Sequence, residues 1–257
     1  MPIGSYTHRL TRSPIKRVLN LAFGMSDLHS HLRLRPMLDY VEGLSTLRTS
    51  GRTQALELGC GGGINLFELA QRFPSLHGLG YDLNRSAITS AREVAARLFP
   101  ERLIFHEADA CRQDLGSKVD IVLLIDFLEH VPDPKGLMRR VSGCVRVGGQ
   151  VLISVPTTRY PQVFGREFHK AVGHLVDGYD LTTLNALVPK DLTLAHHRYS
   201  TGVLASALCA LFYRVLRRLP DSVPVKLLRL CTVPAARVDF FNGPNHSCSL
   251  FAAYKKV

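Results

Sequence analysis

A carboxylate stands two residues ahead of a glycine cluster in Glu57-Leu58-Gly59-Cys60-Gly61-Gly62-Gly63. Glycine lets a backbone approach a ligand closely and take positive φ. The amphipathic segment that follows, Ile64–Arg72, reads as a helix whose first N–H groups are free to receive a carboxylate or phosphate. Further acids, Asp82, Asp109 and Asp126, each stand just after an apolar run. Three histidines, His130, His169 and His174, lie beyond them. A histidine titrates near neutrality and can take a proton from a hydroxyl. The set suits binding of a small charged molecule followed by proton-coupled chemistry beside it.

Alternating strands and helices must position these residues. Apolar runs predict strands at Thr53–Leu58, Leu76–Tyr81, Leu103–Glu107, Val119–Ile125 and Gln150–Val155. Between them, helical periodicity predicts Ile64–Arg72, a helix from Asn84 to Phe99, and one from Pro132 to Val145 ended by Gly148-Gly149. Asp180–Val188 reads as a short helix with Asp180 as its N-cap. Leu192–Tyr199 and Ser247–Tyr254 are candidate closing strands, and residues 13–47 read as helices ahead of the first strand. This pattern is α/β: a Rossmann-like, mostly parallel, seven-stranded sheet with helices on both faces. Residues 1–52 form an N-terminal helical cap and 53–257 the main domain. Within that domain, 156–179 is a loop too long for a plain connector, expected to cover the substrate, and 201–238 is a helical insertion before the last strand.

The 257 residues carry a net charge of +11, unevenly spread. Residues 1–52 hold eight Lys/Arg against three acids, 195–257 hold nine against two, and the middle has fifteen against sixteen. The excess therefore belongs to the ends and suggests an anionic substrate or surface met by them. Six scattered cysteines without a C-x-x-C pair argue against a zinc site or disulfide framework. The first twenty residues lack the continuous apolar core of a secretory signal, and the run Val203–Tyr213 is too short to cross a bilayer. The expected setting is cytoplasmic, with peripheral attachment at the inner membrane surface if the basic ends meet lipid.

A Walker loop needs Lys and Ser/Thr after the glycines, and neither follows. A dinucleotide G-x-G-x-x-G fits poorly, because Ile64 takes the last glycine position. The remaining form, E-x-G-x-G-x-G, resembles motif I of class I S-adenosylmethionine-dependent methyltransferases. Gly80-Tyr81-Asp82, the segment from His106 to Ala110, the run Leu128-Glu129-His130-Val131-Pro132-Asp133-Pro134, and Val145–Pro156 with its paired glycines resemble the family's later motifs in order. The resemblance covers residues 53–157 and is closest to small-molecule, quinone-biosynthesis-like members.

That resemblance implies S-adenosylmethionine as cofactor, held by Glu57, Gly59, Cys60, Gly61, Asp82, Leu83, Asp109, Ala110, Asp126 and Phe127. Glu57 would place negative charge near the ammonium and sulfonium, Asp82 would take the ribose hydroxyls, and Asp109 with the Ala110 N–H would meet adenine. His130, His169 and His174 are the candidate catalytic bases, and no metal site is expected. Tyr160 and Tyr179 could line the pocket. The acceptor would be a small or lipid-like molecule, methylated at oxygen. An RNA methyltransferase using the basic termini is the runner-up, disfavoured because no RNA-binding module is recognisable. A non-catalytic S-adenosylmethionine-binding protein is the third reading. Leu204, Leu208, Leu211 and Val215 form one helical stripe flanked by Arg214, Arg217 and Arg218, with Lys226 and Arg229 repeating the basic spacing. This stripe is expected to pack on the core as a cap, or to lie on an anionic membrane.

Overall fold

The computed structural model describes residues 1–24, 28–44, 51–116, 118–215, 219, 231 and 242–257. Seven strands form one sheet in the order β3-β2-β1-β4-β5-β7-β6. They are β1 (Thr53–Leu58), β2 (Leu76–Asp82), β3 (Leu103–Glu107), β4 (Val119–Ile125), β5 (Val145–Pro156), β6 (Leu192–Ser200) and β7 (Ser249–Lys256). All neighbours pair in parallel except β7, which runs antiparallel to both β5 and β6. The order reverses at β1, so the C-terminal ends of β1 and β4 diverge into two connections, the place where such sheets hold ligands.

The helices are α1 (Pro14–Phe23), α2 (Leu28–Glu42), α3 (Ile64–Arg72), α4 (Arg85–Leu98), α5 (Pro134–Cys144), α6 (Tyr160–Phe164), α7 (Arg166–Ala171), α8 (Leu181–Asn185) and α9 (Val203–Arg214). Local chemistry starts several of them. Asn84 caps α4 by accepting from Ala87 N at 3.1 Å, and Asp133 caps α5 with Pro134 in the first turn. Asp180 caps α8 as predicted, in a reciprocal capping box with Thr183.

Period-two alternation divides the core between two faces. Ala55, Ile121, Leu123, Leu152 and Phe251 pack under α2, α3 and α4, while Leu56, Val122, Leu124, Val151 and Tyr254 pack under α5 and α8. A smaller core joins Leu28 of α2, Phe164 of α6, and Ala205, Leu208 and Cys209 of α9.

Several expectations are corrected. The Pro132–Val145 helix is Pro134–Cys144, and it passes straight into β5 without a glycine stop. Gly148 and Gly149 instead sit in a bulge, where pairing jumps from Val119–Val145 to Ile121–Gln150. Gly148 takes φ +80°, and a Cβ on Gly149 would lie 2.9 Å from the Asp120 carbonyl oxygen. The last strand is shifted from Ser247–Tyr254 to Ser249–Lys256. The loop at 156–179 contains two short helices, α6 and α7. In α9 the stripe Leu204–Leu208–Leu211–Val215 is not the packed face. Leu204, Leu211 and Val215 are exposed, and the buried face is Ala205, Ser206 and Cys209 with Leu208. Small side chains there admit Leu28 closely. Arg217, Arg218, Lys226, Arg229 and the Arg214 side chain lie outside the described residues. No described helix is long and apolar enough to cross a membrane.

Candidate functional site

The turn after β1 is fixed by backbone geometry. Gly59 and Cys60 both donate N–H to the Tyr81 carbonyl, at 2.8 and 3.0 Å, which ties the turn to β2. Gly59, Gly61 and Gly63 take φ +74°, +48° and +80°. A Cβ on Gly59 would lie 2.4 Å from the Phe127 ring, and one on Gly63 2.7 Å from Phe105. At Gly61 no atom lies within 4 Å of that position. Two glycines thus admit close packing, and the third faces open space over the turn.

Glu57 and Asp82 flank this cradle. Asp82 accepts from Gly61 N at 2.7 Å through one oxygen and from Asn84 N at 2.8 Å through the other. It joins the glycine turn to the start of α4 and keeps lone pairs for further donors. Glu57 is fully buried on the α3 side of β1. Asn65 Nδ2 donates to its Oε1, while Oε2 has no hydrogen-bond partner among the described residues. Burial pushes its carboxyl up to about 8, opposed by the Asn65 hydrogen bond and reinforced by Asp82. Burial likewise raises the Cys60 thiol.

Asp109 follows β3, whose end pairs with Asp82. It accepts from Cys111 N at 2.9 Å and ion-pairs with Arg112 at 3.4 Å, closing the turn that carries buried Ala110. Leu83 is exposed at the cradle's edge.

After β4, Asp126 sits in the left-handed region at φ +52°, a strained conformation for a residue with a side chain. Arg33 of α2 ion-pairs with its carboxylate, and both side chains are largely shielded. A 3₁₀ turn, Leu128–His130, follows. Here all three predicted histidines converge. His130 Nδ1 is 3.1 Å from the Gly173 carbonyl oxygen. His174 lies with its ring centroid 4.9 Å from that of His130 and 4.6 Å from that of His169. The Nδ1 atoms of His174 and His169 are 3.0 Å apart, so one donates to the other. His169 Nε2 is 3.4 Å from Asp177 Oδ1. Tyr160 stands 5.5 Å from the His174 ring, and Tyr179 donates to the Leu128 carbonyl at 3.3 Å.

Beneath them, Glu129 is fully buried and neither carboxylate oxygen has a hydrogen bond among the described residues, with Oε1 4.0 Å from His174 Nε2. Burial pushes its carboxyl up to about 7. Burial, followed by the neighbouring His130 and His169, pushes His174 down to about 4. Glu129, His130 and His174 each offer a ligand atom, all within 4.8 Å of one another, a set able to hold a metal ion where no metal was expected.

The sequence reading missed Arg33, Asn65 and the role of Glu129. Asn65 is the second residue of α3, within reach of Glu57. Glu129 stood inside a quoted motif. Arg33 lies 93 positions before its partner Asp126, and no local pattern marks it.

Comparison with known proteins adds the following. The model of a methyltransferase domain family matches residues 56–151. The chain is 31% identical over 112 residues to the ubiquinone biosynthesis O-methyltransferase of Pseudomonas fluorescens (strain SBW25), covering 43% of this chain and 47% of that protein. It is 33% identical over 113 residues, with the same coverage, to the protein of that name from Leptothrix cholodnii. The chain thus spans about half the length of these curated relatives. Among solved structures, coclaurine N-methyltransferase bound to N-methylheliamine and SAH superposes with a TM-score of 0.59 at 16% identity, covering 87% of this chain and 70% of that one. This last likeness concerns the fold.

Proposed function

We propose that the chain is a class I S-adenosylmethionine-dependent methyltransferase, a reading supported by the methyltransferase-domain match and the ubiquinone O-methyltransferase relatives, and that it transfers a methyl group to an oxygen of a small or lipid-like acceptor, with the histidine cluster taking the proton. The observation that carries the reading is the meeting of His130, His169 and His174 at the strand end next to the glycine cradle. The relatives' name, ubiquinone biosynthesis O-methyltransferase, supports oxygen as the target.

The residues fit the donor. Its amino-acid end carries an ammonium, and the buried Oε2 of Glu57 is an acceptor without a donor. Asp82 has lone pairs left for ribose hydroxyls, and the space over Gly61 is open. When bound, the donor supplies a methyl carbon made electrophilic by its sulfonium, and it leaves as a neutral thioether. The protein's task is then alignment, exclusion of water and disposal of a proton. Depressed to about 4, His174 is neutral at physiological pH and keeps a lone pair for the acceptor's proton. With its Nδ1–H donated to His169 Nδ1, and His169 Nε2–H directed at Asp177, a proton arriving at His174 Nε2 displaces one along the chain to exposed Asp177.

A second reading is favoured by Glu129. A buried carboxylate with no hydrogen bond is costly unless something compensates it. A divalent cation held by Glu129, His130 and His174 would do so and would acidify an acceptor hydroxyl.

Methyl-labelled donor incubated with fractionated cell extract tests both. Label is expected in an organic-phase product. Label in RNA would overturn the proposal in favour of the runner-up. Activity that survives exhaustive chelation supports the histidine relay alone, and activity restored by added Mg²⁺ or Zn²⁺ supports the cation.

A further inference from the structure

Helix α1, with sequence Pro-Ile-Lys-Arg-Val-Leu-Asn-Leu-Ala-Phe, is strongly amphipathic, and it is mounted with its apolar side outward. At 100° per residue, Ile15, Val18, Leu19 and Ala22 form one apolar stripe, flanked by Leu21 and Phe23, while Lys16, Arg17 and Asn20 lie opposite. In a soluble protein the stripe faces the core. Here Ile15, Val18, Leu21 and Phe23 are 61%, 66%, 56% and 56% exposed, and the buried residue is Asn20. Its amide donates to Thr11 Oγ1 at 3.1 Å.

The mounting is firm. The segment ahead of α1 is anchored by Gly4 N donating to buried Glu68 at 2.5 Å, by Ile3 in the core, and by Tyr6 edge-on to Phe67 at 5.4 Å. Gly24, at the helix's end, is pressed against Ile3, where a Cβ would lie 2.0 Å from the Ile3 carbonyl oxygen. The outward stripe is therefore a fixed feature of the surface. The charge around it has one sign: residues 1–24 contain Arg9, Arg12, Lys16 and Arg17 and no acid.

We propose that α1 is a membrane-docking helix, with its apolar stripe seated among the acyl chains of an anionic bilayer and the surrounding arginines on its phosphate headgroups. Apolar burial and attraction to anionic lipid are the two forces that hold such a helix in the interface plane. Charge decides for this occupant over a second copy of the chain, because two copies meeting at the stripe would bring Arg9, Arg12 and Arg17 of each, six arginines, together with no acid within residues 1–24 to offset them. From Gly24 the chain needs four residues, a span of at most about 14 Å, to reach Leu28. Leu28 packs on α6 and α9, and α6 carries Tyr160 of the histidine pocket. Docking would thus set the acceptor pocket near the lipid surface. The inference stands whether or not the acceptor is itself a lipid.

The chain contains no tryptophan, so Phe23→Trp gives a clean reporter. Its emission is expected to shift to the blue with vesicles of phosphatidylcholine and phosphatidylglycerol, and to stay put with phosphatidylcholine alone. In co-sedimentation with the mixed vesicles, Ile15→Glu/Val18→Glu should bind at least about tenfold more weakly, and Arg12→Glu/Arg17→Glu should lose the salt-sensitive part of binding. Unchanged melting temperatures would show that these exposed substitutions leave the fold intact. No blue shift, or equal sedimentation of Ile15→Glu/Val18→Glu and the unaltered chain, overturns the proposal. So does a wild-type dimer that Ile15→Glu/Val18→Glu converts to monomer.

Discussion

The glycine cradle and the histidine cluster stand at the ends of neighbouring strands, and each has a buried glutamate beside it, yet the rest of their polar groups are engaged differently. Around the cradle, the Asp82 carboxylate is engaged by two backbone N–H groups, and the turn's own N–H groups are tied to Tyr81. Around the histidines, Glu129 is buried with both oxygens unbonded, His174 is held far from its protonated form, and Asp126 is strained and clamped by Arg33. The cradle is assembled from strand ends that the sheet itself places. The cluster also starts from a strand end, but it is completed by a long connection and an N-terminal helix that come from outside the parallel strands. Each region holds one buried carboxyl raised by its surroundings, Glu57 beside the cradle and Glu129 beneath the histidines, and the second adds a depressed histidine and a strained aspartate, the kind of tuned groups that proton chemistry uses.

The largest test of this contrast removes a cluster residue. His174→Ala should lower kcat by about 10²–10⁴ while donor affinity, measured calorimetrically, stays within about twofold. Equal loss of both would erase the division into two regions. Gly59→Ala attacks the junction, since its Cβ would enter the Phe127 ring at a position held at φ +74°. It should weaken donor binding at least about 100-fold and destabilise the fold by about 3 kcal/mol, read by titration and denaturant melting. Asp82→Ala should weaken donor binding about 10- to 100-fold without changing the maximal rate at saturating donor. An unchanged donor affinity would remove Asp82 from the cradle.

The smallest effect is on stability against pH. Glu57 and Glu129 titrate higher in the folded chain than in the unfolded one, at about 8 and about 7. The donor-free protein therefore binds more protons than its unfolded chain, and their contribution is lost as pH rises through those values. His174 works the other way, and its contribution is lost as pH falls from its ordinary 6.5 towards about 4. Above about pH 6.5 the glutamates act alone, so the melting temperature should drop between there and about pH 8.5. Glu57→Gln should flatten that drop, and a melting temperature that rises over the window would contradict the assignment.

Much of the glycine cradle was legible because its signals are local. Glu57, Gly59, Gly61 and Asp82 sit at fixed distances from strand ends, and period-two apolar runs reveal those ends. The same runs led to the strand set within a few residues. The misplaced boundaries came where two codes overlapped: Gly148-Gly149 reads as a helix stop, but in the structure it is a bulge inside β5. The cluster around Glu129 was legible only as a list of histidines. Nothing near Arg33 announces Asp126, and nothing near Glu129 announces that burial would leave its carboxylate unpaired.

Helix α1 draws the same line. By itself, the sequence determined that helices lie in a basic segment ahead of the first strand, that a glycine turn follows an acid-bearing strand, and that His130, His169 and His174 lie after the fourth strand. Those are properties of spacing along one chain. Only the tertiary structure decided which side of α1 turns outward, that the histidines share one pocket, and that Arg33 reaches across to Asp126. Orientation and meeting depend on contacts between segments far apart in sequence, such as Gly4 with Glu68 and Leu28 with Ala205, and these are set by how the whole core closes.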